Sequence, residues 1–254
     1  MAKFSNDYSI DYRSVDTELR ATFPSLMRLV QETSTLHSES TPYKMSWYAK
    51  EKMAWVLSSW NIEAKRYPLL RDNVTVSTFP TKFMGSIGER GFEMISESGE
   101  LILAAHSVWV FYDLEKGKFA LPPKELAESY GEMFPQVVEK KIQFPLLSRE
   151  PEKFELETAH EFEVTRRDID SNAHVNNISY IEWAFDGVPE ELCQACRATR
   201  THASYKKQLR LGDRVKAEFY KGKENPLLQA AAFKNPDGSL VAEAHSLWSE
   251  KSAF

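Results

Sequence analysis

The stretch Gly99-Glu-Leu-Ile-Leu-Ala-Ala-His-Ser-Val-Trp109 decides the fold, because it returns as Gly238-Ser-Leu-Val-Ala-Glu-Ala-His-Ser-Leu-Trp248. Gly, Leu, Ala, His, Ser and Trp recur at a constant offset of 139 residues. A second pair of segments, Tyr8–Asp16 and Phe162–Asp170, matches at an offset of 154 residues. The sequence therefore predicts a duplicated chain whose two halves share one fold.

The difference between the two offsets means that the first half holds about 15 extra residues. We place this surplus around Gln31–Tyr48, a polar stretch that has no obvious counterpart in the second half.

Each half reads as a strand, a helix and a further series of strands. Thr22 and Pro24 predict a helix from Pro24 to about Gln31, because Thr caps helices and Pro is tolerated in their first turn. Gly187 and Pro189 predict the end of a helix over 177–186. The predicted strands are Phe162–Ile169, Met53–Leu57, Asn73–Phe79, Gly91–Ile95, Leu101–Tyr112, Ser204–Leu209, Arg214–Tyr220, Leu228–Phe233 and Leu240–Trp248.

The helix over 177–186 is apolar on nearly every side, so other elements must cover it. An antiparallel sheet curling round the helix meets this requirement, which predicts an α+β fold with two similar units. The segment Leu121–Glu155, rich in Pro, Lys and Glu, reads as the connection. We set the first unit at 1–135, the linker at 136–155 and the second unit at 156–254.

Composition restricts the class of function. The net charge of -5 argues against nucleic acid as a main partner. No apolar run is long enough for a membrane span, and the N-terminal residues do not read as a signal or transit peptide. Cys193 and Cys196 read as reduced thiols, which fits a cytoplasmic location. We expect neither a metal ion nor a cofactor.

The segment Asp170-Ser-Asn172-Ala-His174-Val-Asn-Asn177 concentrates polar groups between a strand-like run and a helix. At such a corner, free backbone N–H groups and the helix dipole point at whatever lies above. This layout indicates a hydrolytic site that acts on a carbonyl group. In the first half, Glu18 and Arg20 replace Asn172 and His174, so we expect only the second half to perform chemistry.

The run from Asp170 to His174, continued by Val-Asn-Asn, Tyr180 and Trp183, resembles the signature of acyl-acyl carrier protein thioesterases of plant plastids and bacteria. Segments of the first half, Asn61–Pro68 with Asp72-x-Val74 and Ser107–Trp109, are also similar to that family.

The resemblance implies a tandem hotdog fold. It also implies hydrolysis of fatty acyl-acyl carrier protein to free fatty acid and carrier thiol, in fatty acid biosynthesis. The implied partner is the acyl carrier protein with its fatty acyl-phosphopantetheine, and the implied catalytic residues are Asp170, Asn172 and His174.

One position departs from the family pattern. The family has a Glu three residues after a Tyr on a later strand, whereas Tyr205 here is followed by Gln208. An amide can orient a water molecule but cannot take its proton. The general base therefore stays open between Asp170 and His174, with Gln208 as a candidate orienting group.

The sequence also offers candidate residues for the acyl-chain pocket and for the docking surface of the carrier. We expect the surplus of the first half to accommodate the acyl chain, with Leu29, Met53 and Trp55 as candidates for its wall. Acyl carrier proteins are acidic, so their docking surface should be basic. The candidates for this surface are Arg166, Lys206 and Lys207.

Three other functions stay open: a thioesterase for coenzyme A thioesters, a non-enzymatic acyl-carrier binder (favoured by Gln208), and a hydratase or dehydratase on the same fold. The preferred chain length is also open, and both a monomer and a homodimer are consistent with the sequence.

Overall fold

The structure is a computed structural model that describes residues 3–138 and 144–251. It divides the chain into two compact units, Met1–Glu139 and Lys140–Phe254. This division falls within the segment 136–155, which the sequence analysis assigns to a linker. A short 3-10 helix, Pro151–Lys153, leads directly into the first described strand of the second unit.

The first unit is an antiparallel sheet with one long helix packed against it. Its elements are β1 (Phe4–Ser9), α1 (Phe23–Glu39), α2 (Met45–Glu51), β2 (Met53–Ala64), β3 (Asn73–Met84), β4 (Ile87–Ser96), β5 (Leu101–Asp113), β6 (Lys118–Phe119) and α3 (Lys124–Ser129). The strand order is β1-β3-β4-β5-β2, and β6 pairs with β5. Helix α1 packs on β3 and β1.

The second unit repeats this arrangement. Its elements are β7 (Phe154–Glu163), α4 (Asn177–Asp186), α5 (Glu190–Ala195), β8 (Cys196–Tyr205), β9 (Arg214–Gly222), β10 (Leu228–Lys234) and β11 (Leu240–Glu250). The strand order is β7-β9-β10-β11-β8, which matches the first unit strand for strand. Helix α4 packs on β11 and β10. The predicted α+β class, with one sheet on one helix in each half, is confirmed.

The matching hairpins show the duplication in atomic detail. Gly99 and Gly238 both have a left-handed backbone, with φ of 81° and 82°. The indole N–H of Trp109 donates to Ser107 Oγ at 2.7 Å, and that of Trp248 donates to Ser246 Oγ at 2.8 Å. The two repeated segments thus fold into the same local structure.

Most of the surplus lies between Thr22, just before α1, and Pro68, just after β2. The offset is 154 between Thr22 and Asn176, which both cap a helix. It is 141 between Pro68 and Leu209, whose carbonyls accept equivalent hydrogen bonds from Ala21 and Val175. Seven of these 13 residues lengthen the long helix, since α1 has 17 residues and α4 has 10, whereas α2 with 7 residues has a counterpart of similar length in α5 with 6.

Three sequence predictions need correction. Helix α1 continues to Glu39 instead of ending near Gln31. The strand predicted at Ser204–Leu209 is wrong, because β8 runs from Cys196 to Tyr205. The strand predicted at Phe162–Ile169 ends at Glu163. There the Asp168 carboxylate accepts from Thr165 N–H at 2.8 Å and closes a 3-10 helix.

Helix α4 ends where it does for a steric reason. A Cβ atom on Gly187 would lie 1.9 Å from the ring of Phe219. At the equivalent places in the first unit stand Thr33, which is fully buried, and Thr78. The smaller Thr78 leaves room for α1 to continue, whereas the Phe219 ring takes the space that the next turn of α4 would need.

Candidate functional site

The candidate site is built on a tight loop, residues 170–174, which the isolated Ile169–Val175 β-bridge closes just before α4. The Asp170 N–H donates to the His174 carbonyl at 2.8 Å. The Asp170 carboxylate accepts from the N–H of Asn172 at 2.7 Å and from that of His174 at 3.4 Å. Ala173 has φ of 59°, a left-handed conformation that a loop this tight requires.

The first unit contains the same loop. The Asp16 N–H donates to the Arg20 carbonyl at 2.8 Å. The Asp16 carboxylate accepts from the N–H of Glu18 at 2.9 Å and from that of Arg20 at 3.1 Å, and Leu19 has φ of 60°. The aspartate thus builds the loop in both units. The two loops differ in the side chains they present.

The N-terminus of α4 lies directly after this loop. The Asn176 side chain accepts from the Ile178 N–H at 2.9 Å and caps the helix. The Asn176 N–H in turn donates to the Asp168 carbonyl at 2.7 Å. The positive end of the α4 dipole is therefore held beside His174.

The segment that contains Gln208 is hydrogen-bonded to the same loop. The Val175 N–H donates to the Leu209 carbonyl at 2.9 Å. The Arg210 N–H donates to the Asp213 carboxylate at 2.7 Å, which closes the turn that follows. The structure thus brings Asp170, Asn172 and His174 together on one loop, with exposed Gln208 on the neighbouring segment.

His174 is in an environment that favours the neutral imidazole. Partial burial lowers the pKa of His174 below its ordinary value of 6.5, and the Arg210 cation lowers it further. The Asp170 carboxylate acts in the opposite direction, but the net shift is downward. Near neutral pH the ring can therefore accept a proton.

Met53 and Trp55, two of the candidates for the acyl-chain wall, pack on one aromatic cluster of the first unit. The Trp55 ring lies 5.0 Å from that of Phe111. Leu29 is half-buried on α1. The buried members of this aromatic cluster are Tyr48, Phe111, Leu126 and Tyr130.

Beside the aromatic cluster lies a buried polar pair that sequence reasoning missed. Arg90 donates to His37 Nδ1 at 3.0 Å and stacks over the Tyr130 ring at 4.7 Å. Burial, followed by the Arg90 charge, lowers the pKa of His37 to about 3. The missed signal was the helical periodicity of the second half of α1. The sequence prediction ended this helix near Gln31, which left His37 in the polar stretch that follows.

The candidate docking residues Arg166, Lys206 and Lys207 all have exposed side chains. The backbone N–H groups of Lys206 and Lys207 both donate to the Val241 carbonyl, at 2.7 and 3.1 Å. The Lys207 ammonium also contacts Ser239 Oγ at 2.8 Å. Arg166 begins the 3-10 helix before the loop.

The two cysteines are unpaired thiols, and burial raises the pKa of both Cys193 and Cys196. Within residues 3–138 and 144–251, no group of three or more His, Cys, Asp or Glu side chains could hold a metal ion. None of the helices in these two ranges is long and apolar enough to cross a membrane.

Known proteins with similar sequences are thioesterases or hydrolases of acyl carrier proteins. The family model of the acyl-ACP thioesterase N-terminal domain matches residues 1–130, and that of the C-terminal domain matches residues 151–250. A chloroplastic acyl-carrier-protein hydrolase of Cuphea viscosissima is 27% identical over 82% of this chain. The oleoyl-acyl carrier protein thioesterase 1 of Arabidopsis thaliana is 26% identical over 79%. The chain spans 52% and 59% of these two relatives, respectively.

Solved structures agree on the fold. An acyl-ACP thioesterase from Bacteroides thetaiotaomicron superposes with a TM-score of 0.82 at 23% identity, covering 96% of this chain and 97% of that one. The 12:0-ACP thioesterase from Umbellularia californica gives 0.83 at 19% identity, covering 98% and 97%. With the repeated units, their shared sheet order and the matches to both domains, the chain belongs to the acyl-ACP thioesterase family and has its double hotdog fold.

Proposed function

We propose that this protein hydrolyses the thioester of fatty acyl-acyl carrier protein to free fatty acid and carrier thiol, in cytoplasmic fatty acid biosynthesis. One observation supports this most strongly. Two loops with the same backbone precede the two long helices, and only the loop before α4 presents an amide and an imidazole. The family match supports the same reaction class.

The reacting carbonyl oxygen would lie at the N-terminus of α4. Backbone donors and the helix dipole there oppose the negative charge that develops as water attacks the carbonyl carbon. One such donor typically lowers the barrier by about 3 kcal/mol.

His174 is the proposed general base. Its ring is neutral near pH 7, whereas the Asp170 carboxylate already accepts two backbone N–H groups. The imidazole takes a proton from water as the C–O bond forms, and returns it to the sulfur as the C–S bond breaks. Asn172 and Gln208, both exposed, orient the water or the thioester through their amide groups.

The acyl chain and the carrier have separate proposed contacts. Leu29, Met53 and Trp55 serve the acyl chain, because two of them pack on the aromatic cluster of the first unit. Arg166, Lys206 and Lys207 serve the acidic carrier, because all three are exposed cations in the unit that holds the candidate site.

A thiol-release assay over a series of acyl chain lengths tests the proposal. His174→Ala should lower kcat about 1000-fold, and Asn172→Ala should lower it about 100-fold. Arg20→Ala and Glu18→Ala alter the matching positions of the first unit and serve as controls. They should leave the rate within about 3-fold of wild type. Unchanged turnover in both site variants would falsify the assignment.

The same assay separates the alternatives. Equal rates with one acyl group on acyl carrier protein and on coenzyme A would favour a general acyl thioesterase. Tight binding of acyl carriers without thiol release would favour the binder. Conversion of an enoyl thioester with its C–S bond intact would favour the hydratase.

A further inference from the structure

A tyrosine hydroxyl ties the end of β8 to the start of α4. Tyr205 is the last residue of β8, and its hydroxyl donates to the carbonyl of Asn177 at 3.0 Å. Asn177 is the first residue of α4 and directly follows the Asn176 cap. This bond crosses the corner at which the reacting carbonyl is proposed to bind.

A second tyrosine supports the first from within the helix. The Tyr180 ring lies 5.6 Å from the Tyr205 ring in an edge-to-face arrangement. Burial raises the pKa of the Tyr180 hydroxyl, and a backbone hydrogen bond from Leu209 acts against this rise. Leu209 directly follows Gln208, and its carbonyl accepts from Val175. The two rings therefore lie between the helix start, the end of β8 and the Gln208 segment.

The first unit does not have this pair. At the 154-residue offset, Tyr180 corresponds to Leu26. Tyr205 corresponds to Ala64, because Ala64 pairs with Leu103 on β5 as Tyr205 pairs with Ala242 on β11. Neither Leu26 nor Ala64 has a hydroxyl group. The tyrosines accompany the unit with Asn172 and His174, although both units have the same loop and the same sheet.

We propose that Tyr205 is a positioning residue of the thioester site, holding the first turn of α4 against the end of β8 through its hydroxyl. This inference rests on the proposed function, since it assigns the α4 N-terminus to the reacting carbonyl. Donors aimed at a developing charge lose most of their effect when displaced by about 1 Å. A single tether at this corner therefore affects rate more than stability.

The variant Tyr205→Phe removes the hydroxyl and keeps the ring. Its matched control is Tyr8→Phe in the first unit, where the Tyr8 hydroxyl bonds Thr33 Oγ1 at 2.9 Å. Tyr205→Phe should lower kcat about 10-fold, the rate equivalent of one hydrogen bond. Its KM should stay within about 2-fold, and its melting temperature should match that of Tyr8→Phe. In the control, kcat should equal the wild-type value.

Amide hydrogen exchange at residues 177–181 gives a readout independent of turnover. Exchange there should be faster in Tyr205→Phe than in wild type or in Tyr8→Phe. If wild type releases thiol and kcat of Tyr205→Phe equals that of Tyr8→Phe, the positioning role is refuted and the proposed function stands. If wild type releases no thiol from any acyl carrier, the proposed function fails. In that case faster exchange still supports the tether, and unchanged exchange refutes it too.

Discussion

The loops before α1 and α4 share one backbone and differ in the side chains they present. In each loop an aspartate, Asp16 or Asp170, accepts the N–H groups of the residues two and four positions later. One loop presents a carboxylate and a guanidinium, the other an amide and an imidazole. In both units the aspartate builds the corner, and the proposed catalytic residues stand at the two positions where the loops differ.

The faces of the two sheets that pack on the long helices also differ in a polar side chain. Arg90 on β4 pairs with Ser107, and its counterpart Gln229 on β10 pairs with Ser246. In the first unit the longer helix brings His37 onto the buried guanidinium. The helix that follows the candidate catalytic loop is thus the shorter one, while the longer helix adds contacts beside the proposed acyl-chain wall.

Removing the loop-building carboxylate from each unit in turn should give the largest difference between them. Asp170→Ala should lower kcat about 100-fold, because the loop that presents Asn172 and His174 loses its internal acceptor. Asp16→Ala should leave kcat within about 3-fold. Each substitution should cost about 1 kcal/mol of unfolding free energy, measured by urea denaturation. Equal kcat values for the two variants would contradict this division of roles.

The steric limit on α4 can be tested through stability. Gly187→Ala should lower the free energy of unfolding by about 2 kcal/mol, because the new methyl group collides with the Phe219 ring. In a Phe219→Ala background, the same substitution should cost almost nothing. If Gly187→Ala lowers the free energy of unfolding by the same amount in the Phe219→Ala background, the Phe219 ring does not limit the helix.

The two hairpin glycines should respond alike, because their backbones match. Gly99→Ala and Gly238→Ala each force a left-handed backbone on a residue with a Cβ atom, although the space around both is open. Each should cost about 1 kcal/mol in chemical denaturation. Values that differ by more than a factor of two would indicate that the repeated hairpins have separate constraints.

The smallest expected effect concerns pH. Hydrolysis should rise with pH as His174 loses its proton, with a midpoint below the ordinary histidine pKa of 6.5. Arg210→Ala removes a cation that favours the neutral ring, so the pKa of His174 and the acid limb of kcat/KM should both move upward. Lys223→Ala, an exposed cation at the far end of β9, is the control. If the acid limb of kcat/KM does not move in Arg210→Ala, His174 is excluded as the titrating base.

Sequence reasoning succeeded where the signal was local. The end of α4 followed from Gly187 and Pro189, and the structure has this helix at Asn177–Asp186 as predicted.

The misses have tertiary causes. The second half of α1 is polar in sequence, and its burial depends on partners that are distant in the chain. Thr33 is hydrogen-bonded to the Tyr8 hydroxyl, and His37 accepts a hydrogen bond from Arg90. The loop-building action of Asp170 is equally invisible in the sequence, because its partners are backbone N–H groups. The same limit applies to Tyr205, whose acceptor is a main-chain carbonyl.

The shared aspartate loop has an evolutionary consequence. Because a carboxylate and main-chain atoms define the corner, its two presented positions can change without loosening the helix behind it. After a gene doubling, one copy could lose its chemistry by exchanging two residues and keep its architecture. The reverse exchange, Glu18→Asn with Arg20→His, would give the loop of the first unit the side chains of the second on a backbone that already matches it.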